Sequence, residues 1–423
     1  MIVLIITALL IAFLGKGIFK KWSNPVSIFN FLWALLFFLY ALNLKNYYEI
    51  PGRTQFIFFL QLAGFALGGF LAYTYRFRLS TKRVVQNKNN SRELIYWAYI
   101  ALSIVSVIVL LGDTVHIIEG LMQGMTFDDM AIEGMMTESD NTGIRVFLKI
   151  FVMFPVTYSI SAVAAAELLL KNEKKTAKQW LLFAFNIVIV LLYSLQHGAR
   201  IMLFTFVITY VSALVISGKS VYTKKTKKLI WILCILAAVL CVGLSASRGI
   251  DLSRLLMSIY HYFAACIPHF HVVITKIAQD MEHTLGFASL NGFLSPVFIL
   301  LKGVGIISQT PYLGRLASKY VALPEEVSVI GNGVGMNAFV TSNYTFYVDG
   351  GMFGVLLGMF LYGYFVTNTY MLAKKEDNIK YKAIYLLLIS TIYMGFTRFQ
   401  FCQYHTAMAL VLCLLIYRKK REI

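Results

Sequence analysis

The sequence predicts an all-α polytopic membrane protein, and three observations carry that reading. Hydrophobic residues make up 59% of the 423 and charged residues only 14%, against about 25% charged in soluble globular chains. Apolar stretches follow one another almost end to end, each near the roughly 20 residues that a helical span requires. The basic residues between them fall in alternate connecting segments, the pattern of a multispanning chain with one fixed orientation.

Eleven stretches qualify: 2–19, 26–44, 54–75, 94–112, 146–170, 179–196, 201–217, 229–245, 350–372, 383–397 and 401–417. The runs 179–217 and 383–417 are too long for a single helix crossing about 30 Å at roughly 1.5 Å per residue. Each therefore reads as a hairpin, with tips at 196–200 and 397–399. The first stretch has no basic residue ahead of it and no small-x-small cleavage site after it, so it reads as a retained span rather than a signal peptide. Two more segments, Leu252 to Ala278 and Phe287 to Lys302, are semi-apolar and interrupted by Pro268 and Pro296. They suit interfacial helices, or a further pair of spans that would raise the count to thirteen.

The net charge of +18 would suggest nucleic acid in a soluble chain, but its placement argues otherwise. Of the 38 basic residues, 26 lie in 16–21, 76–92, 171–178, 219–228, 374–382 and 418–421, which marks these six segments as cytoplasmic. Fourteen of the 20 acids lie on the other side. The total is a topology signal, and no nucleic-acid partner is expected. Residues 1–423 read as one membrane domain with two long outer loops. The first, 113–145, is acidic and reads as a mobile cover; the second, 246–349, is the larger and holds the two semi-apolar segments. Five cysteines without a CxxC pair point to neither a metal nor a redox role.

Arginines on the outer side need an explanation other than topology. Arg200 and Arg398 sit at the two hairpin tips, and Arg248 follows the eighth span, so all three belong near the outer membrane boundary. A guanidinium fork at that depth suits a phosphate or diphosphate; snorkelling to lipid headgroups is the plainer alternative. Arg254 and Arg315 lie in the large loop, Arg254 being kept as a secondary substrate contact. The glycines of 331–335 suit an irregular turn. They are no nucleotide fingerprint, because no strand is expected ahead of them and the GxGxxG spacing is absent. A helix running on from Asn337 would align Asn337, Thr341, Thr345 and Asp349 in one polar stripe. The carboxylate at its end would serve a ligand or cap the ninth span. Among the histidines, His261, His269 and His271 of the large loop and His405 of the last span offer general bases or hydrogen-bonded packing groups. Their spacing matches no metal motif, and neither metal nor cofactor is expected.

Three segments resemble the bacterial oligosaccharide repeat-unit polymerases of the Wzy type. They are Gly198-Ala199-Arg200 opening a span, Ser245-x-Ser247-Arg248-Gly249, and Gly335-Met336-Asn337-Ala338-Phe339 leading through Tyr347-x-Asp349-Gly350-Gly351-x-x-Gly354 into an apolar helix. The similarity covers roughly residues 195–365, together with the large outer loop between late spans. It implies a multi-pass protein of the bacterial inner membrane, with its active site on the periplasmic side. The substrates would be oligosaccharides on undecaprenyl diphosphate, serving as donor and acceptor in O-antigen or capsular polysaccharide synthesis. A flippase and a chain-length regulator of the same pathway would be partners. Arg200 and Arg248 would stabilise the leaving diphosphate, Asp349 would be the first choice of base with Asp251 and the loop histidines behind it, and Arg398, Asn337 and Arg254 would hold substrate. A polysaccharide ligase with the same donor and a lipid-linked oligosaccharide flippase are the alternatives.

Overall fold

The computed structural model describes residues 1–78, 91–122, 144–170, 176–196, 200–217, 224–246, 252–278, 281–375 and 378–417. Its helices are α1 (Ile2–Phe19), α2 (Pro25–Leu42), α3 (Gly52–Arg78), α4 (Ser91–Met122), α5 (Ile144–Leu170), α6 (Ala177–Gln196), α7 (Ile201–Ser217), α8 (Lys224–Ala246), α9 (Leu252–Ala264), α10 (Cys266–Ile277), α11 (Asn291–Gly303), α12 (Tyr312–Ala322), α13 (Asn343–Lys375), α14 (Ile379–Tyr393) and α15 (Tyr404–Ile416). All eleven apolar stretches of the sequence are helical. Among the described residues, eight helices are long and apolar enough to cross a membrane: α1 to α6, α13 and α14. The protein is a helical, multi-pass membrane protein.

The chain divides into two compact units. The first comprises Met1–Arg83, Leu256–Lys375 and Thr391–Tyr404; the second comprises Val84–Leu255, Glu376–Ser390 and His405–Ile423. In the first, α3 and α13 form a spine in which small residues let backbones meet, since hydrocarbon offers no hydrophobic drive between helices. A Cβ on Gly68 would lie 1.9 Å from the Phe360 carbonyl oxygen. The α1–α2 turn is set by Asn24, which accepts from the Ser27 N–H at 2.8 Å with Pro25 in the first helical position. Aromatic packing fills the interior, with Phe29 stacked on Phe65 at 4.0 Å.

The second unit is knitted by buried polar bonds between its helices. Tyr99 of α4 meets Ser159 of α5 at 2.9 Å, and Asn186 of α6 accepts from Ser161 and donates to Tyr210 of α7, both at 2.9 Å. Helix α5 contains two π segments, Lys149–Met153 and Ala166–Leu170. Each carries one of that helix's buried ionisable groups, Lys149 and Glu167.

Several expectations are corrected. Asp113 does not open a loop: α4 continues to Met122 and Asp113 is buried on it, because its charge is matched by cations of α5. Residues 123–143, the remainder of the expected cover, lie outside the described residues. A strand does precede the glycines, since Ser328–Gly331 (β1) pairs antiparallel with Val334–Met336 (β2), with Gly333 at φ 70° in the turn. The stripe from Asn337 does not form. Ala338 and Thr341 have φ of 64° and 66°, which no helix accommodates, and α13 begins only at Asn343. The break expected at 397–399 is wider, spanning two short 3₁₀ turns, Met394–Phe396 and Gln400–Cys402. The semi-apolar loop segments fold as α9, α10 and α11. Each has 12 or 13 residues, and α9 and α10 are separated only by Ala265, itself in right-handed helical geometry.

Candidate functional site

In the first unit the connection 338–342 is laid against 395–398. The N–H groups of Val340 and Thr341 donate to the Thr397 carbonyl at 2.7 and 3.1 Å, and the Ser342 N–H reaches that of Gly395 at 2.8 Å. Two side chains then take hold of successive carbonyls on it. Arg398 donates to Ala338 at 3.2 Å, and His269 of α10 donates from Nδ1 to Phe339 at 2.9 Å. A carbonyl only accepts, so Nδ1 carries the proton and Nε2 presents a lone pair. Burial pushes the His269 pKa below its ordinary 6.5; Lys276 and Arg398 press the same way, against the Phe339 carbonyl and Glu325. The imidazole is therefore neutral at pH 7. Its Nε2 is buried without a partner among the described residues, as are Thr341 Oγ1, Ser342 Oγ, Asn343 Oδ1 and Gln61 Nε2.

Arg398 also pairs with Glu325, whose main-chain carbonyl accepts from Asn337 at 3.4 Å. Glu325 thus brings together two of the expected substrate contacts, Arg398 and Asn337. Asn337 is exposed and Arg398 largely covered.

Asp349 is used differently. Its Oδ1 accepts from the Thr284 hydroxyl at 2.5 Å and from the N–H groups of Gly286 and Ala288 at 3.0 and 2.9 Å, and its Oδ2 from the Ser289 N–H at 3.0 Å. Leu285 and Gly286, at φ 53° and 95°, turn these donors inward as an anion-holding nest. The aspartate sits at a break in α13, where Gly350 and Gly351 leave helical geometry, and its oxygens are engaged by the 284–289 turn. Gly351 has φ 61° and ψ −143°, a region practically reserved for glycine. The bend brings the Phe346 carbonyl so close to Gly354 that a Cβ there would lie 2.2 Å away. The Asp-Gly-Gly-x-x-Gly sequence is therefore the specification of a kink pinned to the 284–289 turn.

The other loop histidines singled out by the sequence have partners of their own: His261 Nδ1 meets the Tyr47 hydroxyl and His271 Nδ1 the Thr54 hydroxyl, both at 2.9 Å. His405, in the second unit, stacks on Tyr158 at 4.8 Å.

In the second unit Arg200 is half-buried at the start of α7. Four residues earlier, Gln196 donates to Asp113 at 2.7 Å. Asp113 also pairs with Lys149 at 3.1 Å and with Arg145. Nothing in the sequence spacing exposes this cluster, because its members come from three helices. Arg248, Asp251 and the side chain of Arg254 lie outside the described residues.

Fold and site together define a multi-pass helical membrane protein with two polar centres. One sets a guanidinium beside a neutral imidazole; the other holds an ion cluster shared by α4, α5 and α6. No family model, curated protein or solved structure matches the chain.

Proposed function

We propose that this protein is a membrane glycosyltransferase that polymerises undecaprenyl-diphosphate-linked oligosaccharide units on the outer side of a bacterial inner membrane. The eleven-span topology and the outward placement of the 246–349 segment belong to this reading, as does the resemblance of 195–365 to the repeat-unit polymerases. The observation that carries it is the pairing of His269 and Arg398 on the carbonyls of Phe339 and Ala338, within the same segment that bears the resemblance.

The chemistry follows from what each group can do. An acceptor sugar hydroxyl attacks the anomeric carbon of the donor chain, the sugar–oxygen bond to the diphosphate breaks, and the carrier leaves with the electron pair. The hydroxyl proton needs a base; the oxygens of Asp349 already serve the 284–289 turn, whereas the unprotonated Nε2 of His269 has no partner among the described residues and takes the proton once the segment that buries it opens to substrate. The charge on the departing diphosphate needs fixed cations in a poorly hydrated place, the role that the sequence resemblance assigns to Arg200 and Arg248. Arg398, with Asn337 and Arg254, would hold substrate. The unpartnered polar atoms of Gln61, Thr341, Ser342 and Asn343 suit a ligand rich in hydroxyls.

Deletion of the gene tests the proposal. A polymerase null leaves surface glycan of a single repeat unit, whereas a ligase null leaves free lipid-linked polymer and a flippase null traps units inside. Either of the latter outcomes, or full-length glycan in the absence of a second copy, contradicts the assignment.

A further inference from the structure

Asp113, Lys149 and Gln196 are buried together and Arg145 reaches them from the surface, and stability alone does not account for this charged cluster. Asp113 and Lys149 are each more than nine-tenths buried and lie within helices apolar enough to span a membrane. A buried ion pair of this kind is commonly no more stabilising than a well-packed apolar pair of the same volume, and ionisable groups at membrane depth usually mark a ligand or ion path.

Three details say what the cluster takes. It carries one negative and two positive charges. It is rich in donors: the Asp113 carboxylate is the acceptor for Arg145 and Lys149 alike, yet a guanidinium offers five N–H groups and an ammonium three. Gln196, also nine-tenths buried, has an Oε1 with no partner among the described residues. Lys149 moreover opens a π segment, a helix irregularity frequent at functional sites.

We infer that the juxtaposition of Arg145, Lys149 and Gln196 around Asp113 is a phosphate-oxyanion site, with the Asp113 carboxylate as its built-in placeholder. An arriving phosphate replaces the carboxylate as acceptor for Lys149 and Arg145, and a protonated phosphate oxygen supplies the donor that Gln196 Oε1 lacks. The ligand class, a polyprenyl diphosphate headgroup, rests on the function proposed above; the oxyanion site itself does not.

The test is binding to the full-length protein in phosphatidylcholine nanodiscs, with inorganic diphosphate and undecaprenyl diphosphate as separate probes. Lys149→Gln and Arg145→Gln should each weaken binding at least tenfold, whereas Asp113→Asn, by removing the internal competitor, should tighten it several-fold. Wild-type affinity in the two cation variants overturns the inference, as does weakening by Asp113→Asn equal to that of Lys149→Gln, the result expected of a purely structural pair. Where Lys149→Gln fails to fold, the double variant Asp113→Asn/Lys149→Gln leaves no buried charge unpaired, since Arg145 is half exposed, and must still lose binding. Tighter binding of undecaprenyl diphosphate than of inorganic diphosphate identifies a lipid headgroup, and equal binding identifies free phosphate chemistry. Failure to bind either overturns the site. Because binding is read without turnover, this result is separate from whether the chain makes polymer.

Discussion

His269 and Arg398 donate to the carbonyls of consecutive residues, at 2.9 Å to Phe339 and 3.2 Å to Ala338. The first bond fixes a tautomer and the second anchors a cation beside it, so one short connection orients both a base and a charge. Replacing His269 by Ala should lower polymer synthesis by about 10²- to 10⁴-fold, the usual worth of a general base, with membrane levels unchanged. Chain length and yield like wild type would remove His269 from the chemistry.

The same imidazole sets a pH dependence. Burial holds His261, His269 and His271 below the ordinary 6.5, so as pH falls through 6.5 the unfolded chain binds protons that the folded chain does not. Stability is therefore full above that value and declines from there down to the lower pKa of the folded state. The acid limb of activity should likewise lie below pH 6.5. Thermal unfolding and synthesis measured from pH 5 to 8 check both, and an activity limb above pH 6.5 would speak against a buried neutral base.

Asp349 and Gly351 should behave as parts of a kink. An Asn at 349 turns one acceptor into a donor facing backbone N–H groups, and losing a charged hydrogen bond of this sort costs about 1.5–3 kcal/mol. Gly351→Ala should cost about 1–3 kcal/mol from its backbone angles alone. Both should lower the thermal midpoint before they alter chemistry. An inactive Asp349→Asn with unchanged unfolding would return Asp349 to a catalytic role.

Topology is open to direct labelling. A membrane-impermeant maleimide applied to intact cells should modify Arg200→Cys and Arg398→Cys in a cysteine-free background, and should leave Lys20→Cys unmodified. The reverse pattern would invert the orientation on which the diphosphate assignment stands. Arg200→Lys should restore little activity, since a point charge lacks the paired fork.

Hydropathy alone made the helical spans legible, because a helix in lipid must satisfy its own backbone and be apolar along its length. What escaped was set by contacts remote in sequence. Asp113 looks like the start of an acidic loop until Lys149 and Gln196 are seen to meet it, and the helical stripe from Asn337 fails at Ala338 and Thr341 because the Thr397 and Gly395 carbonyls draw that segment out. The Asp-Gly-Gly-x-x-Gly sequence was legible as a landmark, but its use as a kink depends on the Thr284–Ser289 turn 60 residues or more away. His269 stood out from its neighbours only through the acceptor at Phe339.

Reconstitution tests the central claim most directly. Purified protein in liposomes, supplied with undecaprenyl-diphosphate-linked repeat units from its own host, should convert them to a ladder of longer glycans with release of undecaprenyl diphosphate, and the His269→Ala protein should not. Repeat units that stay single with active-folded wild-type protein, or a ladder made equally well by the variant, would contradict the account.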